Sequence, residues 1–271
     1  MWMRILAAVV LLPLLVVMLF WLPTLVTTLV CSLALAIAAY ELLWGTGLVK
    51  HVRLTVYTAL MAALVPLWCH FGMGYLPALI AVFLFTAVLF AEVLISKLAI
   101  RFDQITVCLA GGLLIPFLLS ALIRIHGAEQ GRAFVAIPFV LAFMSDSGAY
   151  FVGCAIGKHK LAPVISPKKS VEGLFGGIVG SVLGMVIYCL VLQNFFGFRV
   201  NYVWAAVYGV LGSLLSTFGD LCFSAIKRQV GIKDYGNLIP GHGGVLDRFD
   251  SMTVVAPLAE ILLMLLPVAV K

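Results

Sequence analysis

Tyr75-Leu-Pro-Ala-Leu-Ile-Ala-Val-Phe-Leu-Phe-Thr-Ala-Val-Leu-Phe-Ala-Glu-Val-Leu-Ile95 holds one ionisable carboxylate, Glu92, in an otherwise apolar run. About 20 such residues in a helix match the thickness of a bilayer's hydrocarbon core. Runs of this kind recur along the chain. Of its 271 residues, 64% are hydrophobic and only 10% charged, whereas soluble domains carry about 25% charged residues. The reading is an all-α, polytopic integral membrane protein in which 1–271 form a single membrane-embedded domain. No polar stretch is long enough to build a soluble domain beside it.

Nine spans are expected, near 5–22, 25–44, 54–71, 75–95, 105–123, 133–156, 174–196, 203–222 and 252–270. Residues 1–23 resemble a signal peptide at first, with Arg4 ahead of an apolar run. The run is long and a second begins at once, so an uncleaved first helix is the better reading. With the N-terminus cytoplasmic, that side holds Arg4, Lys50, Arg53, Lys97, Arg101, Lys158, Lys160, Lys168, Lys169, Lys227, Arg228, Lys233 and Arg248, or 13 of the 17 Lys and Arg. The other side holds Arg124, Arg132, Arg199 and Lys271. This asymmetry is the positive-inside pattern. It puts the loops 157–173 and 223–251 on one cytoplasmic face and makes 133–271 the catalytic region, with less specific helices over 1–132. The net charge of +6 is modest, and no nucleic-acid partner is expected. Six cysteines, at 31, 69, 108, 154, 189 and 222, are scattered singly. They read as small buried hydrophobes, with no disulfide framework or zinc site.

The charge that the helices lack is concentrated between Thr217 and Asp250. Four of the eleven acidic residues (Asp220, Asp234, Asp247, Asp250) and four of the seventeen basic ones (Lys227, Arg228, Lys233, Arg248) fall there. Carboxylates suit a divalent cation, and Lys and Arg suit phosphate. If the eighth helix continues to Arg228, then Asp220, Ser224, Lys227 and Arg228 share one face. Asp220 either pairs with a neighbouring lysine or serves chemistry, and the acidic cluster beyond it favours the second reading. Asp247 and Asp250 share a face if the ninth helix has already begun. Before them, Pro240-Gly-His-Gly-Gly244 makes a turn whose backbone N–H groups can crowd an anion, and His242 can donate to phosphate. Arg248 either binds phosphate in bidentate fashion or pairs with Asp247 or Asp250.

Two more features belong to the same picture. In 157–173, four lysines precede a helix; they either meet anionic headgroups or, with Ser166-Pro-Lys-Lys-Ser170, capture phosphate at the helix N-terminus. Glu172 suits the helix dipole. In the sixth span, Asp146 within Ser145-Asp-Ser-Gly-Ala-Tyr150 is an intramembrane carboxylate and hence a functional candidate. Glu41, Glu92 and Glu260 read as structural. Gly176, Gly180 and Gly184, four apart, allow close helix approach, with packing inside the chain favoured over a dimer face. Three carboxylate sites and two basic loops on one side point to metal-assisted phosphoryl or nucleotidyl transfer at the membrane surface.

Ser224-Ala-Ile-Lys227-Arg228, Lys233-Asp234 and Pro240-Gly-His242-Gly-Gly-Val-Leu-Asp247-Arg248-Phe-Asp250 resemble the signature of the phosphatidate cytidylyltransferases (CDP-diacylglycerol synthases). Asp146-Ser-Gly-Ala-Tyr150 and Ser166-Pro-Lys-Lys169-Ser170-Val-Glu172-Gly resemble further segments of that family. The resemblance implies transfer of the cytidylyl group of CTP to phosphatidate, giving CDP-diacylglycerol and pyrophosphate in bacterial phospholipid synthesis. The site would face the cytoplasm from a multi-pass protein of the inner membrane. It also implies Mg²⁺, with room for a second cation, and a homodimer. By the resemblance, metal falls to Asp220 and Asp247, with Asp250 and Asp146 as further candidates. Lys227 and Arg248 join the two aspartates in catalysis. Lys169, Ser170, Ser224, Arg228, Lys233, His242, Gly243 and Gly244 bind substrate. Three rivals are weaker. A CTP-dependent polyprenol-type lipid kinase would lack the full Pro-Gly-His-Gly-Gly to Asp-Arg-Phe-Asp match. A CDP-alcohol phosphotransferase would show an Asp-Gly and Ala-Arg pattern that is missing. A cation-coupled transporter would spread its charges along a path through the membrane.

Overall fold

A computed structural model describes residues 13–238 and 243–271. Helical structure dominates as expected, and among the described residues seven helices are long and apolar enough to cross a membrane: Thr24–Gly45, Val52–Phe71, Tyr75–Ile95, Phe102–Gly127, Gly131–Ile156, Val171–Phe196 and Tyr202–Gln229. The first expected span lies partly outside the described residues; within them, 13–20 is helical (α1). The last expected span is shorter than expected. Its helix covers Met252–Leu265, 14 residues, about 21 Å at 1.5 Å per residue. Beyond it the chain turns into a two-residue strand.

The chain forms two compact units. One contains residues up to Gly127 together with Gln229–Arg248; the other contains Ala128–Arg228 and Phe249–Lys271. In the first, α2 (Thr24–Tyr40) packs along α3 (Val52–Phe71), and α4 (Tyr75–Ile95) turns Phe83, Leu84 and Leu94 outward. Large exposed apolar side chains are costly in water and ordinary against lipid tails. The helix α5 (Phe102–Leu109) runs into a π-helical turn, Ala110–Leu114. There Gly111 and Gly112 let the backbone lie against α3, and a Cβ on Gly112 would come within 2.8 Å of the Phe85 ring. A second π-helical turn, Glu41–Gly45, ends α2. Short helices α6 (Ile115–Leu119) and α7 (Ala121–Gly127) complete the unit's helical part.

The second unit opens with α8 (Gly131–Phe134) and is built on the pair α9 (Ile137–Ile156) and α10 (Val171–Phe196). Their glycines interlock. A Cβ on Gly148 would collide with the carbonyl of Gly176, one on Gly180 would come within 2.6 Å of the Met144 carbonyl, and one on Gly184 within 2.5 Å of the Met144 side chain. The Gly176/Gly180/Gly184 stripe is thus used for packing within the chain, the favoured sequence reading. Polar side chains bridge the helices: Ser145 and Ser213 hydroxyls are 2.8 Å apart, and Ser181 donates to the Leu141 carbonyl at 3.2 Å. Such bonds hold helices together where lipid supplies no hydrophobic drive between them. The helix α11 (Tyr202–Gln229) is continuous through Arg228. A short ladder pairs β3 (Arg199–Val200) with β4 (Ala269–Val270), and α13 (Met252–Leu265) packs on α9.

Between α9 and α10 the expected loop folds as a β-hairpin, with β1 (Lys160–Ala162) antiparallel to β2 (Ser166–Ser170) and a register shift between Lys160 and Ala162. Pro163 and Pro167 bar a helix here and tolerate a two-stranded edge.

Candidate active site

In the second unit the chemistry-bearing residues come from four elements. The continuous α11 puts Asp220 and Ser224 one turn apart, and the Ser224 hydroxyl donates to Asp220 Oδ1 at 3.2 Å. The other oxygen of Asp220 pairs with Lys169 Nζ from β2. Asp220 therefore does pair with a lysine, but one 51 positions upstream, a residue the signature match assigned to substrate. Both side chains stay about a quarter exposed, open to a ligand. Lys227 is buried on α11, whereas Arg228 is exposed and donates through Nε to the Ile165 carbonyl at 3.2 Å, tying the helix end to the hairpin.

Asp250 lies in the turn after α12 (Leu246–Phe249), before α13 begins. Asp247 and Asp250 are thus on separate elements, and the expectation of one shared helix face does not hold; the helix breaks at Phe249. Burial first, and then the negative charge of Asp220, push the Asp250 carboxyl above the ordinary carboxylate range; its bond from the Ser251 N–H at 2.7 Å and the charge of Lys227 act the other way, and Asp146 adds to the repulsion. Gly219 makes the approach possible, since a Cβ there would come within 3.0 Å of the Asp250 carbonyl.

Asp146 lies on α9 and is exposed along one side of a cavity of about 450 Å³ whose other walls include Tyr150, Lys160, Lys168, Lys169 and Ser170. Ser170 is the N-cap of α10, its hydroxyl accepting from the Gly173 N–H at 3.1 Å. Glu172 does more than suit the dipole. Its carboxylate accepts from the backbone N–H groups of Lys158 (3.1 Å) and His159 (3.2 Å) and lies 2.6 Å from His159 Nδ1, fastening the base of the hairpin. The sequence showed a Glu in the first turn of a helix; it did not show that the preceding loop would fold back on it. Cys154 also lines the cavity and is exposed, unlike the buried thiol expected of it.

In the first unit, the segment 229–248 carries the rest of the signature. Lys233, Asp234 and Arg248 are exposed, and Asp247 is buried. Asp247 Oδ2 accepts from the N–H groups of Tyr235 (2.8 Å) and Gly244 (3.0 Å). Gly243 has φ +86°, the left-handed region open to glycine. Of the Gly-rich turn, Gly243 and Gly244 are described, and the Gly244 N–H points at the carboxylate of Asp247. Glu41 was read as structural; it holds the next two amides, accepting from Val245 N–H at 3.0 Å and Leu246 N–H at 2.9 Å. His242 lies outside the described residues.

A divalent cation fits the donors of the second unit. Asp220 and Asp250 repel one another, and a cation relieves that repulsion. Mg²⁺ ordinarily takes one or two carboxylates and completes its shell with water and substrate phosphate oxygens. Among the described residues no three Asp, Glu, His or Cys side chains form a ready-made shell.

Comparison with known proteins identifies the family. The Cytidylyltransferase family matches residues 2–266. A phosphatidate cytidylyltransferase of Staphylococcus epidermidis is 44% identical over 135 residues, 50% of each chain. One of Staphylococcus aureus is 44% identical over 137 residues, again 50% of each, so the match to these relatives spans about half their length. A phosphatidate cytidylyltransferase of Bacillus subtilis is 38% identical over 187 residues, 69% of this chain and 68% of its own. With the match running nearly end to end, this chain belongs to the Cytidylyltransferase family.

Proposed function

We propose that the protein transfers the cytidylyl group of CTP to phosphatidate, releasing pyrophosphate and forming CDP-diacylglycerol. The observation that carries this reading is the pairing of Lys169 with Asp220, backed by Ser224 and Asp250, beside a lysine-lined cavity in an otherwise apolar helical unit. The resemblance in the signature and the names of the relatives supply the identity of the substrates.

A phosphatidate oxygen attacks the α-phosphorus of CTP; the bond from that phosphorus to the β-phosphate oxygen breaks, and pyrophosphate leaves. The attacking phosphate is already ionised, so no general base is needed. Two anions must meet, and the barrier is mainly one of charge and position. Lys160, Lys168 and Lys169 line the cavity and offset phosphate charge there. Lys169, held by Asp220 in the free protein, exchanges that partner for phosphate when substrate arrives. Mg²⁺, bound through Asp220 with Asp250 and Asp146 as neighbouring carboxylates, would neutralise charge on the α-phosphate and the leaving group. The resemblance adds Asp247 to the metal ligands. Arg248, exposed beside it, offers a fork for phosphate, and His242 positions phosphate rather than moving a proton. The setting is the cytoplasmic side of a bacterial inner membrane, where CTP is available.

Pyrophosphate release by detergent-purified protein tests the reading. Release should require CTP, phosphatidate and Mg²⁺ together, and Asp220→Asn should lower it by about 10²–10³-fold. Release of inorganic phosphate, or release independent of phosphatidate, would refute it.

A further inference from the structure

Glu41 is a buried carboxylate that the reaction above does not use. It is 4% exposed and lies at the start of the π-helical turn that ends α2. Its two oxygens accept from two successive amides, Val245 at 3.0 Å and Leu246 at 2.9 Å, 204 and 205 positions away. Leu246 begins the short helix that carries Asp247 and Arg248, so these are amides at a helix start, where N–H groups lack partners within the helix. The fit leaves no slack. A Cβ on Gly236 or on Gly244 would run into the Glu41 carboxylate, and one on Gly45, four residues on, would strike the carbonyl of Tyr235. Glu41 and Gly45, both in the π-helical turn, lie against the same segment; such turns are enriched at functional sites.

We infer that Glu41 is a positioning residue for the reaction: it clamps Tyr235–Gly236 and Gly244–Leu246 against the end of α2 and thereby fixes where Asp247 and Arg248 stand. Asp247 holds two further amides of the same segment, those of Tyr235 and Gly244. Two carboxylates thus share four amides of one loop, and each holds a different pair. The functional part of the inference rests on the proposed roles of Asp247 and Arg248; the clamp itself does not.

Hydrogen–deuterium exchange on the detergent-purified full chain tests it. In the wild type the Val245 and Leu246 amides should exchange far more slowly than exposed Leu238. Glu41→Gln keeps the shape but turns an N–H donor toward an N–H, and should speed exchange at Val245 and Leu246 by tenfold or more while leaving α9 and α10 protected. Turnover should fall by about 10²-fold, the order that a displacement of about 1 Å costs, chiefly in kcat. Asp247→Asn should instead release Tyr235 and Gly244, and Gly236→Ala should reproduce the Glu41→Gln pattern with the carboxylate still present. Fast exchange at Val245 and Leu246 in the wild type overturns the inference whether or not any variant folds. So does Glu41→Gln with unchanged exchange or unchanged kcat. If the wild type forms no CDP-diacylglycerol, the proposed function fails, while the exchange data still decide on the clamp.

Discussion

Asp220 draws three groups of the site together: Lys169 on one oxygen, Ser224 on the other, and Asp250 within electrostatic reach. Asp220→Asn keeps its size but removes the charge that holds Lys169, and under the proposed function it should lower turnover by about 10²–10³-fold, the range for losing one preorganised charge-stabilising group. Lys169→Met should raise KM for CTP as well as lower kcat, because it takes a phosphate partner from the cavity wall. Asp250 makes a pH prediction. Its carboxyl is raised above the ordinary range, so in cation-free protein the folded state binds more protons than the unfolded one as pH climbs from the ordinary carboxylate range through the raised value. Stability should therefore fall over that window, and Asp250→Asn should flatten the fall. Thermal unfolding at a series of pH values in EDTA measures it. Mg²⁺ favours the ionised form and should restore stability at the upper end. At this scale the sequence was legible where a helix set the spacing. Asp220 and Ser224 meet because they are four apart on a continuous helix. Glu41 was illegible because its partners lie more than 200 positions away, and an acid near a span end looks the same with or without them.

At the scale of elements, the basic hairpin between α9 and α10 forms one wall of the cavity, facing α9. Its strands are too short to show a period of two, and its lysines read equally well as a headgroup-facing loop, so its fold was invisible in the sequence. Glu172 fastens its base and Arg228 its far end. Glu172→Gln should leave the helices intact, loosen the Lys158 and His159 amides, and raise KM for CTP several-fold; a steady-state titration against wild type checks this. Cys154 reports on the same element from within the cavity. A maleimide should label it readily, since thiol reaction needs access, and should leave buried Cys108 and Cys189 untouched. CTP with Mg²⁺ should slow labelling at Cys154; labelling unaffected by CTP would place the nucleotide elsewhere.

Across the whole molecule, the apolar runs identified the class and most helix positions, because a bilayer imposes length and hydropathy on every span. They did not show where helices touch. That information lies in single glycines whose missing Cβ matters only once the partner helix is known. Gly148→Ala would press into the Gly176 backbone and should cost about 1–3 kcal/mol, the usual range for overpacking, seen as a lowered unfolding temperature. The stripe at Gly176, Gly180 and Gly184 is occupied within the chain, so the homodimer implied by the resemblance requires a different face. The two compact units divide the signature, Ser224–Arg228 and Asp250 falling in one and Lys233–Arg248 in the other. A linear motif conceals that division. Chemistry at the α-phosphate is the central claim, and one measurement addresses it directly: incubate the purified protein with phosphatidate, Mg²⁺ and CTP labelled separately at the α- and γ-phosphates, and follow the label. Cytidylyl transfer predicts α-label in the lipid and γ-label in pyrophosphate. Label from the γ-phosphate in the lipid would make the protein a kinase and contradict the account.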